Sequence, residues 1–242
     1  INEEILNNLK FPLIVKPVDR SGSRGITKVN SKKDLQKAIE VAKDLSFDKK
    51  AIIEEFINGD EYSVEYISYE GKHYFLALTK KITTGEPHFI EKGHLQPADV
   101  SDNTLESVKR VVEHALSTLD IKYGASHSEV KIDENGSVKI IEIGGRMGGD
   151  CIGSDLVKIS TGYDFVEMVI DVACNKKPIF ERKYLPKKAE VHFIFNNEDL
   201  MKLEEIKKEN FDQIYRISKI EPIDNHIVCD SSSRYGYYLL QK

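Results

Sequence analysis

Two runs of β-branched and apolar residues, Ala125 to Ile132 and Val138 to Ile143, are separated by a short polar stretch containing Asn135-Gly136. That dipeptide favours tight turns whose twist matches the right-handed twist of paired strands, so the two runs are expected to form one antiparallel hairpin. The constraint reaches beyond the backbone. Glu129 and Glu142 fall at the same phase of the two strands, each flanked by apolar residues, and a hairpin would set both carboxylates side by side on one face. Two carboxylates held close repel unless one is protonated or a cation bridges them, and hard oxygen donors suit magnesium shared with phosphates. A cross-strand acid pair on an exposed face fits the same spacing.

The remaining pattern is read in the same way. Leu13 to Val18 is β-branched and apolar and leads into the Gly/Ser-rich stretch Asp19 to Gly25, so strand, loop and strand are expected there. Ser31 is placed to cap a helix with Leu35, Ala38, Ile39, Ala42 and Leu45 at helical spacing. Ala51 to Ile57 is extended, and Tyr62 to Tyr69 and His73 to Thr79 read as strands joined at Glu70-Gly71. From Lys80 to Val100, with Gly85, Pro87, Gly93 and Pro97, no period is visible, which predicts a long ordered loop with room for one short strand. An amphipathic helix follows a cap at Ser101 or Asp102, with Leu105, Val108, Val112, Ala115, Leu116 and Leu119 on one face.

After the hairpin come the glycine-rich stretch Gly144 to Gly153 and a helix from about Tyr163 to Cys174. Strand (Ala189 to Phe195), helix (Glu198 to Lys207), strand (Ile214 to Ile220) and a final strand pair around His226 to Leu240 complete the chain. Strand hairpins with isolated helices favour an α+β fold with largely antiparallel sheets over a regular βαβ array.

Composition narrows the function classes. The charge of -5, from 35 basic and 40 acidic residues, provides no single-sign field for gripping a nucleic-acid backbone. Apolar stretches such as Leu13 to Val15 are far shorter than the roughly 20 residues of a membrane helix. Cys151, Cys174 and Cys229 are scattered and odd in number, which fits neither a zinc cluster nor a disulfide framework and points to a reducing, cytoplasmic setting. The chain begins with Ile1 rather than Met and enters a strand pattern almost at once, so a piece of a longer protein is expected.

Any phosphate chemistry must then be local. Lys16, in Leu13-Ile14-Val15-Lys16-Pro17, is fixed on a strand, and the glycines of Ser21-Gly22-Ser23-Arg24-Gly25 would let a turn lie close against phosphates. No Gly-Lys-Ser/Thr closes that loop, so it is not a Walker A motif, and a plain hairpin with a solvated lysine fits it equally well. Ile52-Ile53-Glu54-Glu55-Phe56-Ile57 offers an extended edge for a flat base, with Glu61 placed to accept from sugar hydroxyls; a solvated strand face fits these acids too. Arg146, just beyond the second hairpin carboxylate, could stabilise charge on a transferring phosphoryl group.

Taken in order, the lysine strand, the Gly/Ser loop, Glu-Glu-Phe-Ile with Gly-x-Glu-x-Ser, and Glu129 and Glu142 followed by an arginine resemble the ATP-grasp superfamily over about residues 11 to 175. The resemblance implies an ATP-grasp fold in which two α+β subdomains grip ATP between antiparallel sheets, with 1–70 as lid, 71–180 as catalytic subdomain and 181–242 as an extension. It implies that Lys16 contacts phosphates and that Ser21, Gly22, Ser23 and Gly25 close over them. Glu54, Glu55, Phe56 and Ile57 would face adenine, with Glu61 on the ribose. Glu129 and Glu142 would hold Mg2+, with Mn2+ as a substitute, while Arg146 and Lys81 would serve the transferred phosphoryl.

The implied activity is ATP-dependent joining of a small-molecule carboxylate to an amine through an acylphosphate, with no nucleic-acid or membrane partner, and a homodimer is compatible. Bicarbonate activation, carbamoyl-phosphate-synthase-like chemistry and a non-catalytic nucleotide-binding module are the alternatives. Ile82 to Pro97 and Ser231 to Tyr237 resemble the branch containing amino-acid ligases and carbamoyl-phosphate-synthase-like proteins. Many family members carry Asn where this chain has Gly144, and usually another α/β domain ahead of the lysine strand. His94 and His127 are expected to be satisfied structural or substrate-orienting residues rather than metal ligands, and Arg234 is read as either a carboxylate ligand or a structural or solvated residue.

Overall fold

The computed structural model describes residues 8–224 and 226–242. Its described residues divide into two compact units, one comprising the chain up to Ile57 with Thr83–Glu91 and Ile223–Arg234, the other Asn58–Ile82, Lys92–Pro222 and Tyr235–Lys242. The strand beginning at Asp60 belongs with the second unit, and the last sixty or so residues contribute to both.

In the first unit, strand β1 (Leu13–Pro17) lies between β2 (Thr27–Val29) and β3 (Ala51–Glu55), antiparallel to each. Strand alternation sends Leu13 and Val15 into the core and leaves Ile14 and Lys16 on the opposite face. Helix α1 (Lys32–Leu45) covers the core side with Leu35, Ala38 and Ala42 against Leu13, Val15 and Val29. Ser31 occupies the expected N-cap position, but its hydroxyl donates to the Asp34 carboxylate at 2.7 Å rather than accepting a backbone N–H.

The second unit is built on an eight-stranded sheet. Its strands are β4 (Asp60–Tyr69), β5 (Lys72–Thr83), β6 (Glu91–Gln96), β7 (Gly124–Ile132), β8 (Val138–Gly144), β9 (Ala189–Ile194), β10 (Ile214–Ile217) and β11 (Gly236–Gln241), in the order β10-β11-β9-β6-β5-β4-β7-β8. Helix α2 (Asp102–Thr118), capped by Ser101, packs Val108, Val112 and Leu116 on Tyr62, Val64, Tyr66, Leu78 and Val130. Burying each of those three helix side chains contributes about 1.5–3 kcal/mol relative to leaving it in water. The other face receives α3 (Val157–Thr161) and α4 (Phe165–Ala173) over Ile67, Leu76, Ala77 and Ala125. Helix α5 (Asn197–Glu209) is anchored by the buried Leu203.

The α+β character and antiparallel pairing agree with expectation. Three local readings do not. The stretch from Lys80 holds the one short strand that the reading left room for, β6 from Glu91, but also the end of β5, which continues to Thr83, so only residues 84–90 lie between the two strands. Buried Lys81, His94 and Gln96 break the apolar alternation that would have revealed these strands. The glycine-rich stretch runs into a π-helical turn, Ile152–Leu156, and then α3. Finally, β10 stops at Ile217, and residues 231–233 form a short 3-10 turn capped by Asp230 rather than a strand.

Candidate active site

The hairpin places its two acids as the spacing predicts. Glu129 of β7 and Glu142 of β8 stand opposite each other in register, with a bulge immediately after Glu129. On the other side of β7, Glu129 faces Ser63 of β4, and Ser63 faces Thr79 of β5. One polar row therefore crosses four strands: Thr79, Ser63, Glu129, Glu142. In the next row Glu65 faces His127, which in turn faces Gly144. Because successive residues of a strand alternate faces, Glu61, Ser63 and Glu65 all lie on the side of β4 opposite Tyr62, Val64 and Tyr66.

The charges in these rows are paired. The Lys81 ammonium, with 3% of its side chain exposed, lies 2.6 Å from Glu61 Oε1 and 2.9 Å from Glu129 Oε1. His127 bonds through Nδ1 to Glu65 and through Nε2 to Glu129 at 3.4 Å. Burial alone would lower the His127 imidazolium, but hydrogen bonds to Glu129 and Glu65, and their charge, outweigh it and push it up to about 9. Burial would raise the Glu129 carboxyl, yet Lys81 and His127 together hold it far below the usual carboxylate range. Glu142 is exposed and has no hydrogen-bond or ion-pair partner among the described residues.

This donor set fits a magnesium ion. Magnesium is commonly held by one or two carboxylates, with phosphate and water oxygens completing the shell, rather than by an all-protein cage. Two carboxylates in register, one of them unpartnered, meet that requirement, and no group of three or more His, Cys, Asp or Glu forms such a cage among the described residues. Ser63 Oγ, buried in the same row, has no hydrogen-bond partner among the described residues either.

Arg146 follows β8 in the glycine turn, exposed, with Nη1 donating to the Met147 carbonyl at 2.8 Å. Its stem folds over Gly144: a Cβ built there would sit 3.6 Å from Arg146 Cγ. That is ordinary van der Waals contact, so the space at Gly144 does not by itself require glycine. Buried His94 has its Nε2 3.9 Å from Asp150 Oδ2.

In the first unit, Lys16 Nζ meets Glu54 Oε2 at 2.7 Å. The loop after β1 has positive φ at Gly22, Ser23 and Gly25; the φ favours glycine at position 25, where a Cβ would also fall 2.8 Å from Leu45 Cδ1 and 3.0 Å from Pro17 Cγ and make those neighbours shift. The loop is tied down. Ser23 Oγ donates to Glu91 at 3.4 Å, and Ser231 N–H donates to the Gly22 carbonyl at 3.2 Å. Arg234 holds the same segment through Ser231 and Glu91 carbonyls at 2.8 and 3.2 Å, its structural reading.

Glu55 ends β3, and the Phe56 N–H donates to the Pro12 carbonyl at 3.2 Å, so this N–H of the expected adenine edge is already engaged; Ile57 closes the segment. Sequence reasoning missed Lys28, whose ammonium lies 3.9 Å from the centre of the Phe56 ring and pairs with Glu86. It also missed Glu65. The signal for Glu65 was present, since Glu61, Ser63 and Glu65 form a period-two polar face on one strand.

The sheet of the second unit carries paired carboxylates with a lysine, and an arginine follows its last paired strand; the first unit has a lysine strand and a glycine loop of its own; residues of these kinds suit phosphate binding. The family model described as ATP-grasp domain matches residues 9–155, and the chain belongs to the ATP-grasp family. Among curated proteins it is 26% identical over 194 residues to alanine–anticapsin ligase of Bacillus subtilis, covering 71% of this chain and 40% of that one. It is 34% identical over 138 residues to D-alanine–D-alanine ligase of Flavobacterium johnsoniae, covering 54% and 42%.

The solved structure of an L-amino acid ligase from Bacillus licheniformis superposes with a TM-score of 0.75 at 26% identity, covering 97% of this chain and 59% of that one. A carboxyaminoimidazole ribonucleotide synthase, at TM-score 0.72 and 16% identity, shares the fold. The chain spans about half the length of the curated relatives it matches. No helix among the described residues is long and apolar enough to cross a membrane.

Proposed function

We propose that this chain is the nucleotide-binding and catalytic part of an ATP- and magnesium-dependent ligase that joins a small carboxylate, an amino acid by analogy with its relatives, to an amine. The observation that carries this reading is Glu129 standing in register with Glu142, with Lys81 beside them and Arg146 four residues further on. A magnesium ion held there would neutralise phosphate charge as ATP binds.

The residues of the chain supply the rest. Glu129 and Glu142 would hold the metal, and Lys81 and Arg146 would offset charge on the transferring phosphoryl group. Lys16 and the loop containing Ser21, Gly22, Ser23 and Gly25 would bind phosphates; Glu54, Glu55, Phe56 and Ile57 would line adenine, and Glu61 the ribose. A carboxylate oxygen attacks the γ-phosphorus, the bond to the bridging oxygen breaks and ADP leaves. The amine nitrogen then attacks the acyl carbon, phosphate departs and the nitrogen loses its proton. Activation is needed because a free carboxylate is a poor electrophile; catalysis is chiefly positioning and charge neutralisation.

The test is ATP turnover with magnesium across a panel of amino acids supplied singly and in pairs, following ADP, phosphate and a condensed product. Product formation with stoichiometric ADP and phosphate is expected from the protein that contains this chain. Saturable ATP binding without product across the panel would indicate a binding module instead, and phosphate release dependent on bicarbonate would indicate carboxylate activation of a different kind.

A further inference from the structure

The interior of the second unit holds a carboxylate that the proposed chemistry does not use. Glu65, in the middle of β4, is 0% exposed, and both of its oxygens are engaged: one with His127 Nδ1, the other accepting the Gly148 N–H at 3.0 Å. Burying a charge costs several kcal/mol unless its partners are well placed, and apolar replacements of such groups are often neutral or stabilising. A carboxylate at this position therefore calls for a role in geometry.

Its second bond supplies one. Gly148 lies two residues past Arg146 in the turn that leaves β8. A Cβ on Gly148 would fall 2.7 Å from Glu65 Oε1 and 2.8 Å from His127 Nδ1, so the turn approaches β4 this closely only because it carries no side chain there. The Gly148 carbonyl in turn accepts the Gly153 N–H at 3.2 Å. Gly148 is thus clamped on both sides, from the sheet by Glu65 and from the following helical turn by Gly153. Arg146 itself is exposed, and its hydrogen bond to the Met147 carbonyl is local. The direction in which it leaves the turn depends on where the turn is attached.

We propose that Glu65 is a positioning residue that fixes the glycine turn against β4 and thereby aims Arg146 at the transferring phosphoryl group, a role that rests on reading the Glu129–Glu142 row as the reacting end of the nucleotide site. The proposed magnesium ligands are on β7 and β8; neither touches Glu65 or Gly148 directly, and the one link is His127, which bonds Glu65 through Nδ1 and lies 3.4 Å from Glu129 through Nε2. Loss of Glu65 should therefore leave nucleotide binding in place and remove what Arg146 adds when charge develops.

The experiment compares wild type, Glu65→Met and Gly148→Ala by calorimetry, using MgADP alone and MgADP with tetrafluoroaluminate, a mimic of the transferring phosphoryl. Amide hydrogen exchange at Gly148 is followed in the same proteins. Both variants should bind MgADP within about twofold of wild type and lose about a hundredfold of the extra affinity that fluoroaluminate gives, the scale expected when a catalytic group is misplaced by about 1 Å. Gly148 should exchange faster in both.

Gly148→Ala separates the turn from Glu65 without removing the buried carboxylate, so it carries the test should Glu65→Met fail to fold. Unchanged fluoroaluminate binding in Gly148→Ala, or equal loss of MgADP and fluoroaluminate affinity in both variants, would overturn the role of Glu65. If wild type binds no MgADP, the nucleotide reading falls and this role falls with it. Wild-type binding with unaltered variants overturns the role of Glu65 alone.

Discussion

Replacing Lys81 with methionine removes the ammonium that pairs with both Glu61 and Glu129, at 2.6 and 2.9 Å. Taking one partner from a fully buried ion pair costs about 3–5 kcal/mol, because the charge left behind has neither water nor counter-ion. Here the remaining carboxylates keep 18% and 25% of their side-chain exposure, and His127 still faces Glu129. The cost should therefore fall to about 2–3 kcal/mol, since partial solvation screens the orphaned charge. For a chain of this size each kcal/mol lowers the melting temperature by about 2–4 °C, so Lys81→Met should melt roughly 4–12 °C below wild type.

The assay is thermal unfolding at pH 7 without magnesium for wild type, Lys81→Met, Glu129→Gln and the double variant. Removing both charges leaves less to compensate, so the cycle should show a coupling of about 1–3 kcal/mol. Acid supplies a sign check. The Glu129 carboxyl titrates below its ordinary 4.5 in the folded chain, so its stabilisation is full above that value and is lost as pH falls through the folded one. The gap between wild type and Lys81→Met should accordingly narrow below pH 4.5. A Lys81→Met protein melting within about 1 °C of wild type, or strictly additive effects, would refute the reasoning.

His127 makes the opposite prediction on the alkaline side. Its imidazolium is raised from 6.5 to about 9, so its contribution is full below 6.5 and disappears as pH rises through 9; at about 1.4 kcal/mol per pH unit this is roughly 3 kcal/mol, read as a decline in urea stability from pH 6.5 to 10 that His127→Gln lacks. Glu142→Gln should leave the melting temperature within about 1 °C of wild type, because an exposed, unpartnered carboxylate contributes little to the fold. It should nevertheless weaken magnesium-dependent ATP binding by about tenfold or more in calorimetry. Gly144→Asn should fold normally, since a Cβ there meets Arg146 only at 3.6 Å, and the added amide oxygen should tighten magnesium-dependent ATP binding; destabilisation or unchanged affinity would show that the Arg146 stem excludes it.

Much of the site was legible because short-range rules govern it. A side-chain period of two and a turn at Asn135-Gly136 suffice to bring Glu129 opposite Glu142 without knowledge of the rest of the chain. The Gly25 preference is similarly local in its positive φ, although the close approach of Leu45 that adds to it comes from the end of α1. Family likeness extended this reading to Lys16 and Glu61, whose side chains end in ion pairs with Glu54 and Lys81.

Tertiary structure alone decided how charge is distributed in the core. Lys81 reads in sequence as part of a patternless loop because burying a lysine breaks the apolar alternation of a strand; only the pairing of β4 with β5 and β7 brings Glu61 and Glu129 to it. Glu65 looks like a strand acid bound for solvent until His127, sixty-two residues later in the chain, and Gly148, eighty-three residues later, close around it. Backbone periodicity records which face a residue takes, because φ and ψ fix that within a few bonds. Whether a charged residue on that face meets water or a counter-charge depends on strands brought together by the whole fold, and no local pattern in the chain carries that information.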